Sequence, residues 1–251
     1  MDGANVPLVG GRWVEVRTLV IGAVEPGPEG EPHCRQLSYF SRLASAEAFV
    51  EQAKGEVKRR GLDQAQDACF GSDGAPWCQR FPDTYCPDAA RGLDFWHGTS
   101  YAHDFSKALW PGNENTQKWW AGEILHDLKH HGPERLLRSL KGWEALGGKT
   151  KLGQAATAAL TYFRAREALL DYPGLRAAGW PIGTGAVESA NKLVVEERLK
   201  GPGMHWGEVH VNPMLALRNA QCSDRWDEEW AATAVRLTRK RPAALSVHAK
   251  T

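Results

Sequence analysis

Apolar residues dominate positions 12–24, where Trp13, Val14, Val16, Leu19, Val20, Ile21 and Val24 form a run rich in β-branched side chains. Gly10-Gly11 bounds the run on one side and a Pro/Gly stretch over 26–32 on the other, so the pattern predicts a buried strand. A shorter strand over 2–8 reaches it through the Gly10-Gly11 turn, and residues 33–40 make a third. Three strands joined by turns predict an antiparallel meander. The period then changes: Ser45 offers an N-cap, Phe49, Ala53 and Val57 recur at helical spacing, and Gly61 supplies a stop. Residues 67–72 are short, apolar at their centre and end in Asp73-Gly74; residues 75–81 can form a brief helix before Pro82, and a fifth strand fits 92–96.

The resulting order, β-β-β-α-β-α-β, is the order in which an RNase H-like domain is built, and it predicts an α/β fold around a mixed sheet. From 101 to about 172 the pattern is helical throughout, with Trp110, Trp119, Trp120, Leu125, Leu128, Leu136, Leu137, Leu140, Trp143, Leu160 and Phe163 as core candidates. Pro173-Gly174 and the glycines between 179 and 185 mark the exit from this block. Helices resume over 186–199, 213–220 and 224–237. The expected organisation is a first part of the core at 1–100, an all-helical insertion at 101–180, closing helices at 181–238, and a basic, disordered tail at 239–251.

Composition narrows the classes. With 251 residues, 42% hydrophobic and 24% charged, the chain suits a large globular domain carrying an insertion. Its longest apolar run falls far short of the roughly 20 residues a membrane span needs, and no charged segment precedes an apolar one in the manner of a signal peptide, so the reading is cytoplasmic with no membrane partner. Cys34, Cys69, Cys78, Cys86 and Cys222 are odd in number and scattered, which argues against a disulfide framework and lacks the paired spacing of a structural zinc site. A formal net charge of +1 does not advertise a nucleic-acid binder. The local distribution differs: Lys192, Arg198 and Lys200 lie close together, and Arg236, Arg239, Lys240 and Arg241 cluster near the C-terminus.

Phosphodiester transfer assisted by two divalent ions needs carboxylates that converge on ions roughly 3.5 to 4 Å apart, and oxygen ligands suit Mg²⁺. In the topology above, the first and fourth strands are neighbours, so Asp2 on one and Asp73 at the end of the other can face each other. Each also reads as an Asp-Gly turn, Asp2-Gly3 and Asp73-Gly74. Asp94 is the rival to Asp73, and strand order favours Asp73. Glu188 opens the helix that follows the insertion, a place that also suits any acidic residue near a helix N-terminus.

Longer motifs surround Glu188. They are G-x-G-x-V-E-S-A-N-K at 183–192, R-L-K-G-x-G-M-x-W at 198–206 and N-x-M-L-x-L-R at 212–218. With Asp2-Gly3 and Val6-Pro7, the stretch 72–77 and the stretch 93–97 upstream, they resemble ISKra-type insertion-sequence transposases over residues 2 to about 230. The resemblance implies an RNase H-like DDE enzyme that cleaves DNA at element ends and transfers strands, using two Mg²⁺ ions, or Mn²⁺ in their place. Its catalytic, metal-binding acids would fall on Asp2, Asp73 and Glu188. Its partners would be element-end and target DNA and, once assembled on DNA, further copies of itself. The first acid directly follows Met1, which leads us to expect an N-terminally truncated form with a loosely held Asp2. The alternative is a catalytically inactive transposase remnant that only binds DNA or a full-length partner.

Around the triad, Asp94 and His97 end the expected fifth strand and could orient ligand carboxylates by hydrogen bonds. Lys192, Arg198, Lys200 and His205 flank the glycine-rich segment 201–203, a composition suited to phosphate contact; the competing reading is an ion pair from Glu188 to Lys192 and a solvated loop. His126 and His130 share a helix face without the glutamate of a His-Glu-x-x-His motif and read as surface residues. An exposed tryptophan among Trp110, Trp119 and Trp120 could stack on an unpaired base.

Overall fold

The computed structural model describes residues 1–240, with side chains described through residue 238. Strands β1 (Asp2–Pro7), β2 (Trp13–Pro26) and β3 (Pro32–Arg42) form the antiparallel meander, in the order β1-β2-β3. The glycines of the first turn, Gly10 and Gly11, both take positive φ, at 89° and 80°, which their missing side chains make inexpensive. Helix α1 (Ala46–Arg60) is closed as its sequence predicts: the Ser45 side chain accepts from the Ala48 amide, and Gly61 adopts the left-handed conformation after the last turn.

Strand β4 (Cys69–Ser72) pairs in parallel with β5 (Ala90–Leu93) across helix α2 (Pro76–Tyr85). Pro82 lies inside α2 instead of ending it. It is buried beside Phe81, in the turn that packs against α1 and β4; packing offsets the lost amide hydrogen bond. The fifth strand is shorter than expected, because Asp94 is the N-cap of α3 (Phe95–Leu109), its carboxylate accepting from the Trp96 amide. Helices α4 (Glu114–His131), α5 (Glu134–Gly147), α6 (Lys151–Arg164) and α7 (Tyr172–Ala177) complete an all-helical block around Phe105, Leu128, Leu136, Leu140 and Phe163.

The chain is mixed α/β, 59% helical and 17% strand. One expectation is corrected: the strands make two sheets, β1-β2-β3 and β4-β5, where a single mixed sheet was expected. The physical reason is length. Only the nitrogen of Met1 reaches β4, donating to the Gly71 carbonyl at 2.9 Å, and one bond does not make a ladder. Met1 is nonetheless buried, at 4% exposure, so the start of β1 is tied down where fraying was expected.

After the helical block come α8 (Gly185–Ala190), a π-helical stretch (Asn191–Glu196), the short α9 (Glu197–Leu199), α10 (Glu208–Cys222) and α11 (Trp226–Lys240). The closing helices thus run two residues past the expected boundary at 238. Of the basic cluster near the C-terminus, Arg236 is exposed on α11; the side chains of residues 239 and 240 and the tail from 241 to 251 lie outside the described residues. Helices α1 and α2 cover one face of β2, where Leu19 and Ile21 join Phe49, Val57 and Phe81. On the other face, Ala4, Val6, Val16 and Val20 pack against the π-helical stretch and α10.

Helix α10 starts five residues ahead of Pro213, earlier than predicted, because its inner side does unusual work against β3. Asn212 accepts from the Leu43 amide at 2.8 Å and donates to the Leu43 carbonyl at 2.9 Å. Asn219, two turns on, treats Ser41 in the same way, at 3.0 and 3.2 Å. The Ser223 hydroxyl accepts from the Tyr39 amide at 3.0 Å. Amide side chains thereby stand in for a missing strand along the outer edge of β3. Asn219→Ala is expected to lower stability by about 2 kcal/mol, since it orphans a buried donor and a buried acceptor; urea melts would reveal it, and an unchanged midpoint would contradict this account.

Candidate active site

Two acids end parallel strands side by side. Ser72 is in register with Leu93, so Asp73 and Asp94 follow at the same level. Their side chains do different things. Asp94 is 4% exposed, and its Oδ1 accepts from two backbone amides, Trp96 and Thr184, both at 3.2 Å. It clasps the start of α3 to the loop that opens α8. Asp73 accepts from the Ala75 amide at 2.9 Å and stays partly exposed. The hydrogen bonds of Asp94 therefore go to backbone and not to Asp2 or Asp73, and its influence on Glu188 runs through the helix it holds.

Asp2 enters from β1. Its Oδ1 accepts from the Gly3 amide at 2.7 Å and its Oδ2 from Asn191 Nδ2, also at 2.7 Å. Burial raises the Asp2 carboxyl above its ordinary value, and the neighbouring Asp73 carboxylate adds to the rise against the lowering effect of the Gly3 bond. Asp2 and Asp73 are thus electrostatic neighbours, as a shared ion site requires. Glu188 lies on α8 one turn before Asn191, so the two project from the same helix face. Asn191 ties that face to Asp2, while Glu188 is exposed. Among the described residues, no group of three or more His, Cys, Asp or Glu side chains is close enough to hold a metal ion.

Asn191 is the residue that sequence reasoning passed over. Its Oδ1 is buried with no hydrogen-bond partner, an arrangement that costs roughly 1–3 kcal/mol unless something donates to it or coordinates it. A hard cation suits oxygen donors of this kind: the Asp2 carboxylate, raised by burial and by the neighbouring Asp73, and the unengaged amide oxygen of Asn191. Asn191 also begins the π-helical stretch, and such distortions recur at functional sites. Arg218 stabilises the distortion, donating to the Leu193 carbonyl and to Glu197 Oε2. Two motif residues, Asn212 and Arg218, therefore have structural work of their own.

Glycines let other groups close in. A Cβ at Gly74, where φ is +76°, would meet the Arg166 side chain at 2.7 Å. Arg166 comes from the end of the helical block, over the Tyr162 ring at 4.1 Å, and places a guanidinium beside the Asp73-Gly74 turn. Nothing in the sequence around Arg166 announced this. A Cβ at Gly183 would meet Trp96 at 3.1 Å, and Trp96 is 67% exposed. Trp96, on α3, is thus an exposed tryptophan beside the Asp94 cap and Gly183. Of the three tryptophans predicted as possible stacking surfaces, Trp119 is well exposed, on α4, Trp110 borders on exposure, and Trp120 packs against the helical core.

The remaining predictions divide. His97 lies in the first turn of α3, exposed, with its ring 6.3 Å from that of Tyr101 and 6.2 Å from that of Tyr162; it makes no hydrogen bond to the acids. Lys192 and Arg198 are exposed, and no ion pair joins Glu188 to Lys192. Lys200 is engaged with Glu196 at 2.7 Å. His205 is exposed, its Nδ1 3.3 Å from the Gly203 carbonyl. The loop carrying it returns to β1, where the Trp206 amide donates to the Pro7 carbonyl at 3.0 Å. The five thiols are unpaired, with Cys78 buried and Cys34 exposed.

Searches against models of protein families, curated proteins and solved structures find no match for this chain. The electrostatics make a prediction of their own. An acid whose folded value is raised supports the fold below its unfolded value and loses that support as pH rises through the folded value. Asp2→Asn should therefore raise the metal-free melting temperature at pH 7, and Mg²⁺ at roughly millimolar concentration should stabilise the parent chain more than the variant. A variant that melts lower at pH 7 and responds equally to Mg²⁺ would contradict both statements.

Proposed function

We propose that this chain is the catalytic part of a DDE transposase, in which Asp2, Asp73 and Glu188 hold divalent metal for cleavage and joining of DNA. The observation that carries the reading is the Asn191–Asp2 hydrogen bond, which links the strand of the first acid to the helix of the third while the second acid lies beside the first. The motifs around Glu188 and their resemblance to ISKra-type transposases support it. Mg²⁺, when bound, would activate an attacking hydroxyl and stabilise the departing oxygen. The protein's own residues do the rest. Asn191 orients Asp2, the Asp94 clasp fixes the start of α8, and Arg166 offers positive charge beside the Asp73-Gly74 turn for a DNA phosphate. Lys192, Arg198, Lys200 and His205 contribute further phosphate contacts along the exposed side of the closing helices. No covalent link between protein and DNA is needed.

A second reading draws on the exposure of Glu188 and the lack of a ready three-acid cluster: a remnant that binds DNA without cutting it. Nicking of supercoiled DNA in Mg²⁺ or Mn²⁺, followed with calorimetric titration of each ion, separates the two. Metal-dependent nicking with metal binding supports the enzyme. DNA binding with neither metal binding nor nicking would replace it with the remnant.

A further inference from the structure

A cavity of about 520 Å³ is walled by residues 19–24 of β2 and 69–71 of β4, a volume in the range of small-molecule sites. Part of its lining is apolar, with Leu19, Ile21, Phe70 and Phe81 drawn from one hydrophobic cluster. Residues 19–24 of β2 pair with β3 alone, so on their other edge the backbone N–H and C=O groups have no strand partner. A purely hydrocarbon occupant would strip water from these groups and give nothing in return. The chemistry that fits is an apolar body carrying hydrogen-bonding groups of its own.

Two polar side chains on the same cavity are left unexplained by packing. Arg60, the last residue of α1, is half-buried, and its Nε is buried with no hydrogen-bond partner among the described residues. A guanidinium stays charged and presents its N–H groups in a fork that matches a carboxylate. Gln36 sits in a bulge of β3: Ile21 pairs with Ser38 and Ala23 with Arg35, so Gln36 and Leu37 stand against Gly22 alone. It takes a φ of +49°, one of two non-glycine residues with positive φ among those described. Such strained backbone recurs at ligand sites. Bulges also re-aim side chains, and Gln36 lines the cavity. Asp67 lines it as well, and its carboxylate disfavours a second negative charge on the occupant.

We propose that this cavity binds a small N-acyl amino acid with an apolar side chain. The ligand carboxylate pairs with Arg60, its amide meets Gln36 and the free edge of β2, and its side chain enters the cluster of Leu19, Ile21, Phe70 and Phe81. Occupancy bridges the three-stranded sheet to β4, which ends at Ser72, directly before Asp73. The site does not depend on the reaction proposed above, so it can fail or stand without it.

The test is calorimetric titration of the full chain with N-acetylphenylalanine, with its uncharged carboxamide, and with 3-phenylpropanoate, which keeps the charge and the ring but lacks the amide. The acid is expected to bind about tenfold tighter than the carboxamide and about threefold tighter than 3-phenylpropanoate. Arg60→Gln should abolish the first difference while the melting temperature stays within about 2 °C of the parent. Saturation with the acid should slow amide exchange over 69–72 several-fold. Gln36→Gly should weaken binding and raise the melting temperature together, because glycine adopts positive φ without strain. A lower melting temperature in that variant would overturn the part given to Gln36. No saturable binding of the acid, equal affinity for acid and carboxamide, or undiminished binding by Arg60→Gln would overturn the proposal.

Discussion

Replacing Asp73 with Asn, or Glu188 with Gln, is expected to lower the proposed Mg²⁺-dependent DNA cleavage about a thousandfold while leaving the proposed DNA affinity within about twofold. A thousandfold corresponds to about 4 kcal/mol of transition-state stabilisation, the scale on which a metal ion acts when it loses one anionic ligand. Both substitutions preserve shape: Asn at 73 can still accept from the Ala75 amide, and Gln at 188 sits on an exposed helix surface. Neither removes a cation from the surface that would meet DNA phosphates. The measurement is single-turnover nicking beside a binding titration at fixed salt. Cleavage at the parent rate in either variant would remove that residue from the metal site. An equal loss of binding would mean that it serves the fold instead.

The second large effect is on stability. Phe163 is 0% exposed and lies at the centre of the helical block, its ring 6.3 Å from Tyr101 and 5.3 Å from Tyr162. Truncation to alanine removes most of a large ring from a packed interior and leaves a cavity, at a cost of about 3–5 kcal/mol. For a chain of this size that is roughly 10 °C in melting temperature. The effect should reach the candidate site. Arg166 follows Phe163 by three residues and contacts the Asp73-Gly74 turn, so cleavage at low temperature should fall even where the variant remains folded. Phe163→Leu, which keeps most of the volume, should recover most of both losses. A Phe163→Ala protein that melts within about 2 °C of the parent would show that the block has a different centre.

Much of this architecture was legible in the chain itself. The meander, the caps at Ser45 and Gly61, and the unbroken helical block followed from period and turn chemistry, because each depends on residues within a few positions of one another. The misjudged boundaries share a cause. Pro82 and Pro213 were read as helix limits, yet tertiary packing in one case and the asparagine contacts to β3 in the other outweigh the cost of a proline inside a helix. Asp94 looked like a strand terminus because its role depends on Thr184, 90 residues away. Asn191 and Arg166 could not be ranked at all. What marks Asn191 is a buried oxygen without a partner, and what marks Arg166 is its approach to a glycine, and both are facts about distant surfaces. The separation of the two sheets was equally invisible, since a hydrophobic run does not say which of its edges finds a partner.

The asparagine-lined edge of β3 has a consequence for how the protein behaves in concentrated solution. An open strand edge is a template on which another chain can add, and natural sheets block such edges to stay soluble. Here the block is made by Asn212 and Asn219 on α10 and by Ser223 at its C-cap, and that same helix carries Arg218, which grips the π-helical stretch beginning at Asn191. Solubility and the alignment of the acids therefore hang on a single element. A lesion that lifts α10 would uncover an adhesive edge and release the support behind Asp2 in the same movement, so aggregation and loss of the geometry around Asp2 should arise together and not in sequence.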